Sequence, residues 1–225
     1  MAGQLSSGER EFATLVAQLR ALEDEIATAR RASRDAQAWH GRDRRIPREA
    51  GLALRGERVV LADGAQIVVR PVEPEDGADL AAGFERLGAL SRFRLFGKRV
   101  DRLTRQQVVE LTRVDHDSSE GLVALDAATG EGIAMARYDR VPGDPARAEV
   151  VCAVLDAWQH RGVGSALAER LAARARAAGI QRCTAVLTLG NGPARRLLAH
   201  VADEVGERRD GGTVDVTAQA RGRRS

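Results

Sequence analysis

The sequence predicts an α/β (α+β) fold: a mixed, mostly antiparallel sheet with helices on both faces, preceded by a separate N-terminal helix. Three observations predict it. Strand-like and helix-like runs alternate along residues 55–218, an order that a mixed sheet covered on both faces accommodates. Turn pairs such as Asp63-Gly64 and Thr129-Gly130 join neighbouring strand-like runs as hairpins. A glycine turn, Gln159-His160-Arg161-Gly162-Val163-Gly164, connects a strand-like run to a helical one.

The first element is a helix over residues 8–38. Phe12, Leu15, Leu19, Leu22, Ile26 and Ala29 recur at three-four spacing and make an apolar seam. Ser6 or Ser7 caps it, with Glu9 and Glu11 in its first turn. The seam either packs on its own domain or pairs with a second copy, which would make a homodimer through this helix. Residues 30–48 carry seven arginines against Asp35 and Asp43, a solvated linker or a contact for an acidic partner. Pro47 and Gly51 mark a boundary. The expected organisation is an N-terminal helix and arginine-rich linker (1–54), a main domain (55–218) and a disordered basic tail (219–225).

Within the main domain, Val59–Leu61 and Gln66–Val72 flank the Asp63-Gly64 hairpin signal. Pro74-Glu75-Asp76 opens a helix that runs to about Leu87, with acids at its N-terminus. Thr104 caps a second helix to about Arg113. Gly121–Asp126 and Gly132–Arg140 are antiparallel strands, and Ala148–Leu155 follows after Asp144-Pro145. Ser165–Ala178 is helical and stops at Gly179. Cys183–Leu189 is a strand, Pro193–Val201 a helix, and Val205–Glu207 with Thr213–Val216 a terminal hairpin. The resulting order is β-α-α-β-β-β-α-β-α-β-β.

Composition narrows the function classes. The 225 residues suffice for one domain with a sizeable core plus an appendage. Aromatics are only 3%, so Leu, Val and Ala fill that core. A net charge of +3 gives no reason to expect nucleic acid as a partner. Cys152 and Cys183 lie in apolar strand-like runs and read as reduced core residues. The four histidines lack ligand spacing, so no metal is expected. No apolar run approaches a membrane span and no leader segment is evident, so the expected location is cytoplasmic. Lys98 is the sole lysine.

The glycine turn carries the chemistry. Glycines between a strand and a helix let a ligand approach the backbone closely. The first-turn N–H groups of that helix have no internal partners and suit phosphate oxygens. Gln159 to Gly164 therefore reads as a pyrophosphate cradle.

Three segments in order resemble the GNAT N-acetyltransferase superfamily, over about Arg58–Val216. They are Ile67-Val68-Val69-Arg70-Pro71 followed by Glu75-Asp76, the V-x-x-x-x-Q-x-x-G-x-G run from Val154 to Gly164, and Asn191 after the strand Cys183–Leu189. Within the superfamily, Ser91–Phe96, Val114-Asp115-His116, Ala148-Glu149-Val150 and Asp156-Ala157-Trp158-Gln159 are most similar to catalytic domains of bacterial protein lysine acetyltransferases. Such proteins often carry a cyclic-nucleotide-binding domain, and no stretch here is long enough to be one.

The resemblance implies acetyl-CoA as co-substrate and an amine, favoured as a protein lysine, as acceptor. It lays the pantetheine along Cys152, Ala153 and Val154, and the pyrophosphate on the N–H groups of His160, Arg161, Gly162, Val163, Gly164 and Ser165. Asn191 would add a hydrogen bond to pantetheine, and a backbone N–H near Val154 would face the oxyanion. Arg161 would pair with a phosphate. Glu149 is the implied general base, its facing relative to Val154 set by a bulge that the family has in this strand. Its other reading is a solvent-face carboxylate paired with Arg147 or Arg137. No general acid is identifiable: Tyr138 lies in an earlier strand, and His200 is a lone histidine on a helix. Asp115-His116-Asp117 shapes an acceptor mouth or is a plain polar loop. Neither cysteine has a paired histidine, so direct attack is expected. Two alternatives stay open: a small-molecule amine N-acetyltransferase, and a non-catalytic acyl-CoA-binding interaction protein.

Overall fold

The computed structural model describes residues 55–188, 191–210 and 213–220. The helix read over 8–38, the arginine-rich linker and residues 221–225 of the expected 219–225 tail lie outside the described residues, whereas 219–220 belong to the last strand. Eight strands form one sheet in the order β1-β2-β3-β4-β5-β6-β8-β7. β1 (Glu57–Val60) and β2 (Gln66–Pro71) make the opening hairpin, with Gly64 at φ 84° in its turn. A 3-10 turn at Pro74–Asp76 leads into α1 (Gly77–Arg86). Then come α2 (Ala89–Phe96) and α3 (Arg105–Thr112). β3 (Ser119–Asp126), β4 (Gly132–Val141) and β5 (Asp144–Val154) form an antiparallel meander. α4 (Val163–Ala177) crosses to β6 (Arg182–Thr188), which lies parallel to β5. α5 (Gly192–Val201) and the hairpin of β7 (Ala202–Asp210) and β8 (Thr213–Ala220) complete the chain.

Two features depart from the sequence expectation. α2 is a helix where none was read, between Gly88 and Gly97. β5 begins at Asp144, so Pro145 lies inside the strand. The ladder with β4 shifts register between Arg140 and Val141, and Pro145 falls at that irregularity, where its missing N–H breaks no regular bond.

The helices cover both faces. On one, Val163, Leu167, Leu171 and Ala175 of α4 fall at helical spacing and bury against Ile67, Leu122, Ala136, Tyr138 and Ala148. On the other, Leu80 of α1 and Leu111 of α3 pack on Val72, Val123 and Met135. Leu198 of α5 joins a separate cluster with Ala185, Leu187, Val214 and Val216. α3 is closed at both ends. Thr104 Oγ1 accepts from the Gln107 N–H at 3.2 Å while Gln107 Oε1 accepts from the Thr104 N–H at 2.8 Å. At its C-terminus, buried Arg137 of β4 donates to the carbonyls of Glu110 and Arg113, at 2.5 and 2.9 Å.

One irregularity positions the site. β4 and β5 stay paired from Arg140↔Ala148 to Ala134↔Val154, whereas β5 and β6 pair only at Arg147↔Arg182, Ala148↔Cys183 and Glu149↔Thr184. Beyond Glu149 the two parallel strands part.

Candidate active site

The parting leaves backbone groups of β5 without a neighbouring strand. The Leu155 N–H donates to Ile133 O at 2.9 Å, and the Gln181 N–H donates to Ala146 O at 2.8 Å. Strand alternation then turns odd-numbered residues toward β4 and even-numbered ones toward β6. The N–H groups of Cys152 and Val154 therefore face the gap. A cleft of about 530 Å³ occupies it, bounded by β5, β6, α4 and α5. Cys152, Ala153, Val154, Gln159, His160, Gly162, Gly164, Ser165 and Asn191 all line it.

The glycine turn lies at the mouth of that cleft. His160 and Gly162 adopt left-handed φ values of 60° and 95°. No side chain caps α4, and its first internal hydrogen bond is the Ala166 N–H to Gly162 O at 3.0 Å. The N–H groups of Val163, Gly164 and Ser165 precede it and stay open to an anion. Val163 contributes backbone only, since its side chain is in the core. A Cβ on Gly164 would meet Leu197 and Val154 at 3.7 Å, ordinary contact, so the protein itself leaves that space free.

Gln159 braces the cleft. Its Nε2 donates to Val154 O at 3.0 Å and to Ser91 Oγ at 3.1 Å. Asp156 completes the brace by accepting from the Gly88 N–H and from Ser91 Oγ, both at 2.6 Å. Ser91 and Asp156 fix α2 against the end of β5, and residues 68 and 65 positions apart meet there. Asn191 Oδ1 accepts from the Ala194 N–H at 3.3 Å and caps α5, which leaves its amide nitrogen as the donor for a ligand. Arg161 is not on the cleft wall. Its guanidinium lies over the Trp158 ring, 4.1 Å from the centroid, and binds Asp63 at 2.6 Å. The arginines on the wall are Arg94, within the Ser91–Phe96 segment, and Arg196, to neither of which the sequence assigns a ligand role.

Glu149 stands at the apex, the last residue of β5 paired with β6, and is exposed. The cleft wall on β5 starts one residue later, at Val150. No described residue pairs with its carboxylate: Arg137 binds Asp139, and Arg147 lies 3.8 Å from Asp144. The β4–β5 register is constant from Ala148 to Val154, so the bulge expected there is absent. Glu149 and Val154 point to opposite faces, Glu149 sharing its face with Val151 and Ala153. Burial pushes the Cys152 thiol up to about 12 and raises that of Cys183. Both thiols stay protonated near neutrality and are poor nucleophiles. Buried Tyr138 lines the inner cleft, its hydroxyl pKa raised by burial, and His200 Nε2 sits 2.7 Å from Glu169. Asp115 is a turn hub: Oδ1 accepts from the Ser118 and Ser119 N–H groups, both at 2.8 Å.

These groups fit a ligand with a diphosphate, for the open helix N-terminus, and an amide-bearing arm, for the gap beside β5. Among the described residues no helix is long and apolar enough to cross a membrane.

The comparisons agree with this chemistry. A family model described as the acetyltransferase (GNAT) family matches residues 91–202. The GNAT domain of S. lividans PAT is 32% identical, with a TM-score of 0.66, over 78% of this chain and 99% of that one. A cAMP-binding acyltransferase from Mycobacterium smegmatis is 25% identical (TM-score 0.54) over 78% of this chain, which spans only 50% of that protein. The protein yncA of Salmonella typhimurium, solved with its cofactor acetyl-CoA, shares the fold at 20% identity and a TM-score of 0.53, over 68% of this chain and 91% of that one. With its sheet parted beside an uncapped helix N-terminus, the chain belongs to the acetyltransferase (GNAT) family and is an acyltransferase.

Proposed function

We propose that the protein transfers acetyl from acetyl-CoA, the family's acyl donor, to a protein lysine, with Glu149 as general base. The observation that carries this is an exposed carboxylate, without a partner among the described residues, at the apex where β5 and β6 part. An ammonium must lose a proton before its nitrogen can attack a thioester carbonyl. Glu149 takes that proton, directly or through water. The N–H groups of Cys152 and Val154 face the gap and supply donors for the carbonyl oxygen as it gains charge. As the C–N bond forms and the C–S bond breaks, the leaving thiolate takes a proton from the attacking nitrogen, which is cationic once bonded to carbon, or from water. The main-chain N–H groups of His160 to Ser165 bind the diphosphate, and Asn191 donates to the pantetheine arm. Two half-buried cysteines whose thiols are raised above their ordinary value favour direct attack over an acyl-enzyme.

The lysine acceptor is supported by the 32% identity to the GNAT domain of S. lividans PAT and by the Ser91–Phe96 and Ala148–Val150 segments. Mass spectrometry of lysine peptides and polyamines incubated with the protein and acetyl-CoA tests it. Acetylated peptide is the expected product, and transfer to polyamines alone would reject the acceptor class. Glu149→Gln should lower turnover by about 10²-fold or more while coenzyme A affinity is unchanged.

A further inference from the structure

A second cavity opens on the opposite face of β5. It has a volume of about 220 Å³ and reaches inward beneath α1, α2 and α3. Its wall is almost wholly hydrocarbon, with Leu80, Phe84, Phe96, Leu103, Val123 and Met135 among its residues. The charged residues on it are Asp76 and Asp79. Asp76 is committed to Arg70 at 2.6 Å, and Asp79 is exposed. Such a wall rejects an ammonium and accepts an alkyl chain. Leu87, Leu95, Val151 and Ala153 line both this cavity and the cleft beside β5, so the two spaces adjoin.

Two glycines keep the cavity open. Gly83 lies inside α1, where glycine is the poorest helix former after proline, and its φ is not left-handed. A Cβ built there meets nothing within 4 Å. The same holds for Gly132, on the wall at the start of β4. Neither backbone conformation nor packing accounts for Gly83; the empty volume that it preserves does. Gly132 falls at a register shift of the β3–β4 ladder, and its missing side chain leaves the same volume open.

We propose that this cavity receives the hydrocarbon chain of acyl groups longer than acetyl. The donors would then be short and branched-chain acyl thioesters of coenzyme A, with acetyl the smallest. This rests on reading the cleft as the coenzyme A site. An apolar cavity of about 150 Å³ admits the six carbons of a benzene ring, so this one, at about 220 Å³, has room for at least as many. The transfer itself is unchanged: the acyl C–S bond breaks, the C–N bond forms, and Glu149 takes the ammonium proton.

Calorimetry on the full chain tests it, titrating coenzyme A and its acetyl, butyryl, isovaleryl and hexanoyl thioesters. Affinity should rise by about two- to fourfold per methylene from acetyl to isovaleryl. Gly83→Phe should abolish that rise and leave coenzyme A itself bound as before. Gly132→Leu fills the opposite wall and should do the same if the first variant does not fold. A flat series in the unmodified protein, or a rise that survives in a folded variant, overturns the inference. Coenzyme A binding with a flat series overturns it alone, whereas no heat from any of the five ligands overturns the coenzyme A reading as well.

Discussion

Gly162 and Gly164 lie two residues apart and are glycine for different reasons. At φ 95° Gly162 occupies a conformation that L side chains avoid. Gly162→Ala should cost about 1–2 kcal/mol in urea unfolding. Gly164 has no such constraint, and an added methyl meets only ordinary contacts. Gly164→Ala should leave stability within about 0.5 kcal/mol of the parent and still weaken coenzyme A binding several-fold in calorimetry. Equal losses of stability in both variants would deny Gly164 a ligand role. Local spacing marked this turn in the sequence because glycine pattern and helix start are local properties. The partners of its side chains were not legible. Arg161 meets Asp63, 98 positions away, and Gln159 meets Ser91, 68 positions away. Only the fold brings these pairs together.

At the scale of elements, α2 is the instructive case. Its eight residues are bracketed by Gly88 and Gly97 and hold two arginines and a serine, so periodicity alone gives little reason to call them helical. A helix this short needs tertiary support. Asp156 provides it from outside the element, satisfying the Gly88 N–H and the Ser91 hydroxyl. Asp156→Ala should cost about 2 kcal/mol in denaturant unfolding and lower turnover as well, because Ser91 and Arg94 of α2 form part of the cleft wall. An unchanged unfolding midpoint would show that α2 stands without this carboxylate. The equally short α3, the fifteen-residue α4 and the hairpins were legible, since capping residues and turn glycines are written next to the elements they end. The β5–β6 parting was not, because nothing in either strand's own sequence says where its neighbour leaves it.

The whole molecule carries a charge pattern that sets its acid stability. Burial works to raise the carboxyls of Asp76 and Glu120, but hydrogen bonds from Arg70 to Asp76, and from His116 and Arg174 to Glu120, outweigh it and lower both. Asp115 is lowered by Ser118 and by the N–H groups of its own turn. A lowered carboxyl stabilises the fold fully above its unfolded value, and that contribution is lost as pH falls through the folded one. Thermal midpoints should therefore hold level from about pH 8 to 6 and fall below about pH 4, where unfolded carboxylates begin to protonate. Asp76→Asn should weaken this acid dependence and cost about 3 kcal/mol at neutrality, since it removes the carboxylate charge from the part-buried ion pair with Arg70. A variant with the parent's midpoint at both pH values would remove the pair from the stability of the fold.

Among the described residues three ladder pairs join β5 to β6, with the Arg182–Asp144 ion pair and the Thr184 hydroxyl on Ala148 O beside them, and the strands beyond carry a hydrophobic cluster of their own. The sheet is thus two plates sharing a short seam. A molecule slotted between them would act as mortar, supplying the hydrogen bonds that the missing rungs do not. Amides of β6 and β8 should exchange with deuterium faster than those of β3 and β4 in the free protein. Saturating coenzyme A should close that difference and raise the melting temperature together, so that substrate capture and completion of the sheet are one event.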